Sequence, residues 1–235
     1  MRGLGLLGGM SWESTALYYR LLNEGVRERR GGLHSAPLLL WSFDFAGIAA
    51  RQAAGAWDEL GEELGEAGRR LAAAGAEALL LCTNTMHRVH GAIEARAGVP
   101  VLHIADAAGR ALREAGCRRP AFLGTRFSME QDFYTGRLAE RHGIHALVPG
   151  AQDRATVHDV IYGELCRGIV RPESKRAYLD VVGRMAGEGA DGVILGCTEI
   201  TMLIGQADMA LPVFDTTALH AAAGVAFMLG EPGAA

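Results

Sequence analysis

Short apolar segments alternate with longer stretches rich in Ala, Leu, Glu and Arg along the whole chain. The apolar segments are bounded by Gly, Pro or Thr and have the length of buried strands, while the longer stretches have helical composition. This alternation predicts an α/β fold of mainly parallel sheets flanked by helices. The predicted strands are 4–7, 37–42, 78–82, 101–103, 120–123, 192–195 and 212–214. The predicted helices are 12–30, 57–74, 105–115, 129–142, 157–169, 174–187 and 217–229.

An internal repeat relates the two halves of the chain. Segment 75–83 aligns without a gap with segment 189–197, and this alignment places Thr83 on Cys197. Two further matched pairs occur in the same order, 6–9 with 122–125 and 99–101 with 211–213. The repeat indicates that each half folds into a similar unit with a polar turn after an apolar strand.

The repeat predicts two pseudosymmetric α/β lobes. We expect residues 1–104 and 213–235 to form the first lobe, and residues 105–212 to form the second. In sheets of this kind, ligands bind beyond the carboxyl ends of the strands. We therefore expect the active site in the cleft between the lobes, where Thr83 and Cys197 would face each other.

Composition narrows the classes of function. The 235 residues are 49% hydrophobic and carry a formal net charge of −4, which describes a globular chain without a basic surface for nucleic acid. The apolar runs are far shorter than the ~20 residues of a membrane helix, and the first residues do not resemble a secretory signal. We expect a cytoplasmic protein without nucleic-acid or membrane partners. Its four cysteines lack a CxxC pair, and no histidine spacing matches a metal motif, so no metal site is expected.

Three polar turns follow predicted strands and carry the candidate chemistry. Segment 8–11 is Gly-Gly-Met-Ser, in which Ser11 is a helix N-cap and free backbone N–H groups suit an anion. Segment 82–87 is Cys-Thr-Asn-Thr-Met-His, whose His87 we interpret as a supporting polar residue. Segment 196–200 is Gly-Cys-Thr-Glu-Ile. A thiol at a helix N-terminus ionises more easily, so Cys197 is a candidate base or nucleophile.

Four motifs together resemble the aspartate/glutamate racemase family over essentially the whole chain. They are GGMSWEST, CTNTMH, GCTEI and FDTT, in this order, and segment 123–134 resembles the branch specific for L-aspartate and L-glutamate. The resemblance implies a cofactor-independent enzyme, a homodimer of two-lobed subunits, and a small amino acid as the substrate. It also implies two acid–base residues on opposite sides of the substrate α-carbon.

The resemblance assigns the catalytic pair to Thr83 and Cys197. The family has a second cysteine where this chain has Thr83, and Cys82 lies one residue too early. In this pair Cys197 would remove the proton of the L-isomer, with Thr83 on the opposite face. The implied substrate contacts are Met10, Ser11, Gln52 beside Arg51, Asn84, Thr85, Thr125, Thr198 and Glu199. Lys175 or Arg176 is the candidate for the distal carboxylate.

Two other functions remain open from the residues alone. A decarboxylase or lyase of the same superfamily needs only one protonating cysteine, which Cys197 would supply. A non-catalytic amino-acid-binding protein is the other alternative, because a hydroxyl at Thr83 is a very poor base. The sequence does not rank aspartate against glutamate as the substrate.

Overall fold

The computed structural model describes residues 1–231, which form two compact units. The first unit consists of Met1–Ile104 together with the segment that starts at His220. The second unit is Ala105–Leu219. Within the described residues, no helix has both the length and the apolar composition needed to cross a membrane.

A parallel three-stranded sheet forms the first unit. Strand β1 (Leu4–Gly8) lies between β2 (Leu38–Ser42) and β3 (Ala78–Leu81). Its helices are α1 (Trp12–Arg30), α2 (Phe45–Ala54), α3 (Trp57–Ala73) and α4 (His90–Ala97), with a 3₁₀ turn at Thr85–Val89. Helices cover both faces of the sheet because successive strand residues point to opposite sides. Leu6 packs against the α1 residue Leu22, and Leu7 packs with the α3 residue Leu60.

A second parallel three-stranded sheet forms the other unit. Strand β5 (Val193–Gly196) lies between β4 (Ala121–Gly124) and β6 (Val213–Asp215). The helices of this half are α5 (Ile104–Glu114), α6 (Arg126–Glu130), α7 (Asp132–His142), α8 (Ala151–Gly163) and α9 (Pro172–Gly187). The last helix, α10 (Thr216–Leu229), begins in this unit and belongs to the first unit from His220 onward. Three further 3₁₀ turns lie at Leu165–Arg167, Thr198–Met202 and Gln206–Asp208. The predicted α/β class with two parallel, helix-flanked sheets is confirmed.

The internal repeat extends to the backbone hydrogen bonds. In each unit a glycine with positive φ lies two residues after the end of a helix, with φ of 107° at Gly75 and 91° at Gly189. Glycine adopts this left-handed backbone readily. The matched bonds from backbone N–H to carbonyl run from Ala76 to Leu71 and Ala190 to Met185, and from Glu77 to Gly3 and Asp191 to Arg119. The two segments that carry Thr83 and Cys197 therefore start from the same local geometry within their own units.

The boundary of the second unit differs from the one expected. The chain returns to the first unit at His220, whereas the sequence suggested residue 213. The reason is that β6 pairs in parallel with β5 and so belongs to the second sheet. The strand expected at 101–103 is reduced to a single parallel bridge between Leu79 and Val101, because the chain enters α5 at Ile104.

Two short helices escaped the sequence pattern, and one predicted helix is displaced. Helix α2 follows an Asp44 N-cap, and α4 is only eight residues long. Glycines of α3 allow α4 to pack closely, since a Cβ at Gly61 would lie 3.1 Å from the Cβ of Ala92. The helix expected at 157–169 is α8, which ends at Gly163 and is followed by a 3₁₀ turn.

A carboxylate at the amino end of β5 ties two loops together. One Asp191 oxygen accepts the backbone N–H of Arg118 at 2.7 Å, and the other accepts that of Arg119 at 2.9 Å and the Cys117 thiol at 2.7 Å. Partial burial favours the protonated acid, but the hydrogen bonds from Cys117 and the backbone outweigh this effect and lower the pKa of Asp191. The charged carboxylate is therefore the stabilising form.

We expect Asp191→Asn to lower the free energy of unfolding by about 0.5–1 kcal/mol at pH 7, because an amide accepts these bonds less strongly and solvent screens the exposed carboxylate. A group whose pKa is lowered in the folded state loses its contribution as pH falls through that pKa. The difference from wild type should therefore shrink below about pH 4. Urea denaturation at several pH values measures this, with exposed Asp159→Asn as the control. An effect of equal size in both variants would contradict the role of Asp191.

Candidate functional site

The turn after β3 presents a half-buried threonine among buried neighbours. Strand β3 ends at Leu81, and Cys82, Asn84 and Thr85 are all buried while Thr83 is partly exposed. Side chains of successive residues in extended chain point in opposite directions. Of Cys82 and Thr83, the threonine is thus the one with a solvent-accessible side chain at the carboxyl end of the strand.

Cys82 lies in the apolar core of the first unit. Its side chain packs with Leu6, Leu80 and Leu102 and has no exposed surface. Burial raises the pKa of the Cys82 thiol, and a hydrogen bond with Thr15 offsets only part of this effect. The thiol therefore stays protonated at neutral pH, in the environment of a packing residue.

The turn after β1 is built around a glycine. Gly9 has a φ of 81°, and a Cβ there would lie 2.2 Å from the carbonyl oxygen of Phe43. Helix α1 begins directly after Ser11, whose hydroxyl caps it by accepting the backbone N–H of Ser14 at 3.5 Å. Met10 and Ser11 are both buried. The predicted N-cap at Ser11 is thus present, at the carboxyl end of the central strand.

Gln52 presents a buried acceptor in the first unit. It extends from α2, is 3% exposed, and its amide nitrogen donates to the sulfur of Met86 at 3.0 Å. Its Oε1 atom has no hydrogen-bond partner within residues 1–231. A buried acceptor without a partner is unfavourable, and a ligand N–H group would satisfy it. Neighbouring Arg51 forms an ion pair with Glu63.

In the second unit, a thiol and a carboxylate share one turn. Cys197 follows β5 and is 8% exposed. Its thiol donates to Oε2 of Glu199 at 2.9 Å, and the hydroxyl of Thr198 donates to the same oxygen at 2.6 Å. The 3₁₀ turn Thr198–Met202 brings the three side chains together because it starts immediately after Cys197. The arrangement places a proton acceptor directly beside the thiol.

The surroundings of Cys197 oppose its ionisation, contrary to the expectation from the sequence. Burial, then the negative charge of Glu199 and the nearby Cys166, raises the pKa of the Cys197 thiol well above its usual value. The sequence predicted that a helix N-terminus would lower the pKa of this thiol. The pKa is raised instead, because the element after Cys197 is a short 3₁₀ turn that carries a carboxylate. The resting thiol is therefore protonated, and a base must remove its proton before it acts as a thiolate.

Three residues near this turn were not predicted from the sequence: Tyr162, Tyr178 and Cys166. Burial, followed by the proximity of Cys197 and Cys166, raises the pKa of both Tyr162 and Tyr178. The hydroxyl of Tyr178 donates to the carbonyl of Val157 at 2.8 Å. These residues come from α8, α9 and the 3₁₀ turn Leu165–Arg167, so no local sequence pattern connects them with Cys197.

Threonines also stand at the ends of the neighbouring strands. Thr125 follows β4 and caps α6, since its hydroxyl accepts the backbone N–H of Ser128 at 3.3 Å. Thr216 follows β6 and donates its hydroxyl to the carbonyl of Leu195 at 2.8 Å. This bond ties the start of α10 to the strand that leads into Cys197. The sequence pointed to Thr125, whereas the role of Thr216 depends on the pairing of β5 with β6.

The two candidate cations for a distal carboxylate are both engaged in ion pairs. Lys175 lies 2.6 Å from Asp208, and Arg176 lies 3.2 Å from Glu173 with most of its side chain exposed. Both extend from α9. Neither is close in sequence to the carboxyl end of a strand. A ligand carboxylate would have to replace the present acidic partner of either residue.

Comparisons with known proteins identify relatives over almost the entire chain. Residues 7–224 match the family model of Asp/Glu/Hydantoin racemase. The crystal structure of a candidate Asp/Glu racemase from Yersinia pestis is 48% identical, with a TM-score of 0.92 over 97% of this chain and 100% of that one. An aspartate racemase homologue from Pyrococcus horikoshii is 30% identical, with a TM-score of 0.84 over 97% and 100% of the two chains. Picrophilus torridus aspartate racemase, at 19% identity and a TM-score of 0.73 over 98% and 95%, shares the fold.

We expect Glu199→Gln to lower the pKa of the Cys197 thiol, because it removes the negative charge and the carboxylate acceptor beside it. The pH dependence of iodoacetamide alkylation, read by mass spectrometry on the peptide that contains Cys197, measures the midpoint. The midpoint should move to lower pH in Glu199→Gln and stay unchanged in Glu173→Gln, which alters an exposed carboxylate on α9. A midpoint that moves upward or not at all in Glu199→Gln would show that Glu199 does not control the thiol.

Proposed function

Since the chain belongs to the Asp/Glu/hydantoin racemase family, we propose that it interconverts the L- and D-isomers of aspartate or glutamate by cofactor-independent proton transfer at the α-carbon. The observation that carries this proposal is the contact between the Cys197 thiol and Glu199 at the carboxyl end of β5. The names of the relatives from Yersinia pestis and Pyrococcus horikoshii support an acidic amino acid as the substrate.

Racemisation without a cofactor needs one group to remove the α-proton and another to deliver a proton from the opposite face. We assign these roles to Cys197 and Thr83, which occupy equivalent positions in the internal repeat. Thr83 is partly exposed, whereas its neighbours Cys82 and Asn84 are buried. A group that donates a proton to the substrate must be accessible in this way. Cys82 is unsuited to the role because its thiol lies wholly in the core.

The proton steps begin at Glu199. Its carboxylate takes the thiol proton of Cys197, and the resulting thiolate removes the α-proton of the L-isomer. The Thr83 hydroxyl then delivers its proton to the other face of the carbanion. Exchange with solvent returns a proton to Thr83 and removes the proton from Glu199, which restores both groups. The pKa of the thiol, raised by burial and by Glu199, makes the thiolate a stronger base once it forms. Reaction from the D-isomer runs the same steps in reverse.

Substrate binding in this proposal uses groups at the ends of several strands. Backbone N–H groups around Met10, Asn84–Thr85 and Thr198–Glu199 would hold the α-carboxylate and stabilise the charge that develops on it. The buried Oε1 atom of Gln52 is suited to accept a hydrogen from the substrate ammonium group. Lys175 or Arg176 would bind the distal carboxylate after exchange of its present acidic partner.

A one-cysteine reaction is the second candidate, because Thr83 stands where a second thiol would be expected. A decarboxylase of this type would protonate a carbanion through Cys197 alone. Incubation of the protein with L-glutamate in D₂O distinguishes the two. Deuteration at the α-carbon together with formation of the D-isomer supports the racemase, whereas no deuteration and no D-isomer from either acidic amino acid would exclude it.

Cys197→Ser should lower kcat for L-aspartate and L-glutamate by about 100-fold or more, because an alcohol does not supply the thiolate base. Cys82→Ala is the matched thiol control, and it should keep most of the activity while losing some stability through the smaller side chain. Initial rates from chiral chromatography, with circular dichroism to verify folding, measure both. Equal loss in both variants would make Cys82 the second reacting group in place of Thr83 and contradict the register of the turn after β3.

Thr83 variants test the second acid–base group. Thr83→Ala should lower formation of the opposite isomer by about 100-fold, while Cys197 still allows deuteration of the L-isomer. Thr83→Cys should raise kcat/KM, and by the same factor from either isomer because the two have equal free energy in solution. Initial rates from both isomers, with deuterium incorporation followed by NMR, provide the measurement. Wild-type rates of inversion in Thr83→Ala would remove Thr83 from the mechanism.

A further inference from the structure

His87 is a fully buried imidazole that contacts the turn carrying Thr83. Its Nδ1 atom lies 2.9 Å from the carbonyl oxygen of Thr83 and 3.3 Å from that of Asn84. Its Nε2 atom accepts the backbone N–H of Ile104 at 3.2 Å. The ring therefore links the turn after β3 with the start of α5, across 17 residues of sequence.

These partners allow only one tautomer of the imidazole. Carbonyl oxygens only accept hydrogen bonds, so Nδ1 must carry the hydrogen, and the N–H of Ile104 requires a bare Nε2. The ring also packs against two other histidines, with centroids 4.6 Å from His103 and 5.4 Å from His220. Burial, then His220 and His90, lowers the pKa of His87 well below its usual value, so the ring is neutral at pH 7.

We propose that His87 is a positioning residue, whose Nδ1–H group holds the Thr83 carbonyl and thereby sets the direction of the Thr83 hydroxyl. This inference rests on the proposed function, because it assigns to Thr83 the delivery of a proton. A misplacement of about 1 Å in a reacting group can lower a rate by about 100-fold. The turn is short, and the residues next to Thr83 are buried. Loss of the hydrogen bond to the Thr83 carbonyl would therefore change the orientation of the Thr83 side chain directly.

Imidazole is suited to this place because one ring offers a donor and an acceptor on different edges. An asparagine amide reaches the Nδ1 position but not the Nε2 position. A glutamine amide reaches the Nε2 position but leaves the Thr83 carbonyl without its donor. Asparagine therefore removes only the bond to Ile104, and glutamine removes only the bond to the Thr83 carbonyl. The two substitutions thus test the positioning of Thr83 separately from the structural link to Ile104.

The proposal predicts a selective defect. When Thr83 is misplaced, inversion slows, whereas Cys197 still removes the proton of the L-isomer and can return a deuteron to the same face. Deuteration of the L-isomer in D₂O should therefore continue while formation of the D-isomer falls. A general loss of stability would lower both rates together.

The experiment compares His87→Asn and His87→Gln with wild type, using L-glutamate and L-aspartate in D₂O. His87→Gln should lower the ratio of inversion to L-isomer deuteration about 10- to 100-fold, and His87→Asn should stay within about threefold of wild type. His145→Asn and His145→Gln alter an exposed histidine and serve as controls. Equal ratios in the two His87 variants, or a parallel loss of inversion and deuteration, would overturn the proposal.

A measurement on the wild-type protein separates this inference from the proposed function. In ¹⁵N NMR spectra at pH 7, Nδ1 of His87 should show the shift of a protonated nitrogen and Nε2 that of a bare one. The His87 signals are assigned by their absence from the spectrum of a folded His87 variant. If no variant folds, they are assigned through the hydrogen bond between Nε2 and the Ile104 amide. The opposite tautomer or a charged ring would overturn the positioning role regardless of activity. If wild type neither inverts nor deuterates acidic amino acids, the proposed function fails, and the tautomer still decides whether His87 holds the turn.

Discussion

Burial of the central parallel strands on both faces is the constraint on which the rest of this structure depends. Every residue of β1 and of β5 is buried, so neither strand tolerates an unpaired polar side chain along its length. Polar side chains therefore lie in the turns at the ends of these strands, where backbone N–H groups also become available. Thr83 and Cys197 both lie in such turns. The helices around each sheet exclude water from the strands.

Strand β5 shows how the same pair of groups takes on different roles at its two ends. At the amino end, the Cys117 thiol donates to Asp191, but this carboxylate also accepts two backbone N–H groups and is thereby held in place. At the carboxyl end, the Cys197 thiol donates to Oε2 of Glu199, and the hydroxyl of Thr198 donates to the same oxygen. Protonation of Asp191 would weaken its bonds from two backbone N–H groups, whereas Oε2 of Glu199 accepts from two side chains of its own turn.

The repeat conserves the backbone and varies the side chains that support it. In the first unit, the imidazole of His87 binds the carbonyl of Thr83. In the second unit, the hydroxyl of Thr216 binds the carbonyl of Leu195, two residues before Cys197. Each unit thus secures the turn after its strand with a side chain from a different element. The two units can therefore share a backbone arrangement while one turn carries the hydroxyl of Thr83 and the other carries the thiol of Cys197.

The sequence by itself determined the fold class, the repeat and the turns that bear the candidate chemistry, because these follow from periodicity and spacing along the chain. It also indicated that Thr83, and not Cys82, aligns with Cys197. Only the tertiary structure decided that the pKa of Cys197 is raised, that Lys175 binds Asp208, and that β6 belongs to the second sheet. Such properties depend on residues far apart in sequence, since burial and the charges around a group are set by the packed neighbours and not by the local pattern.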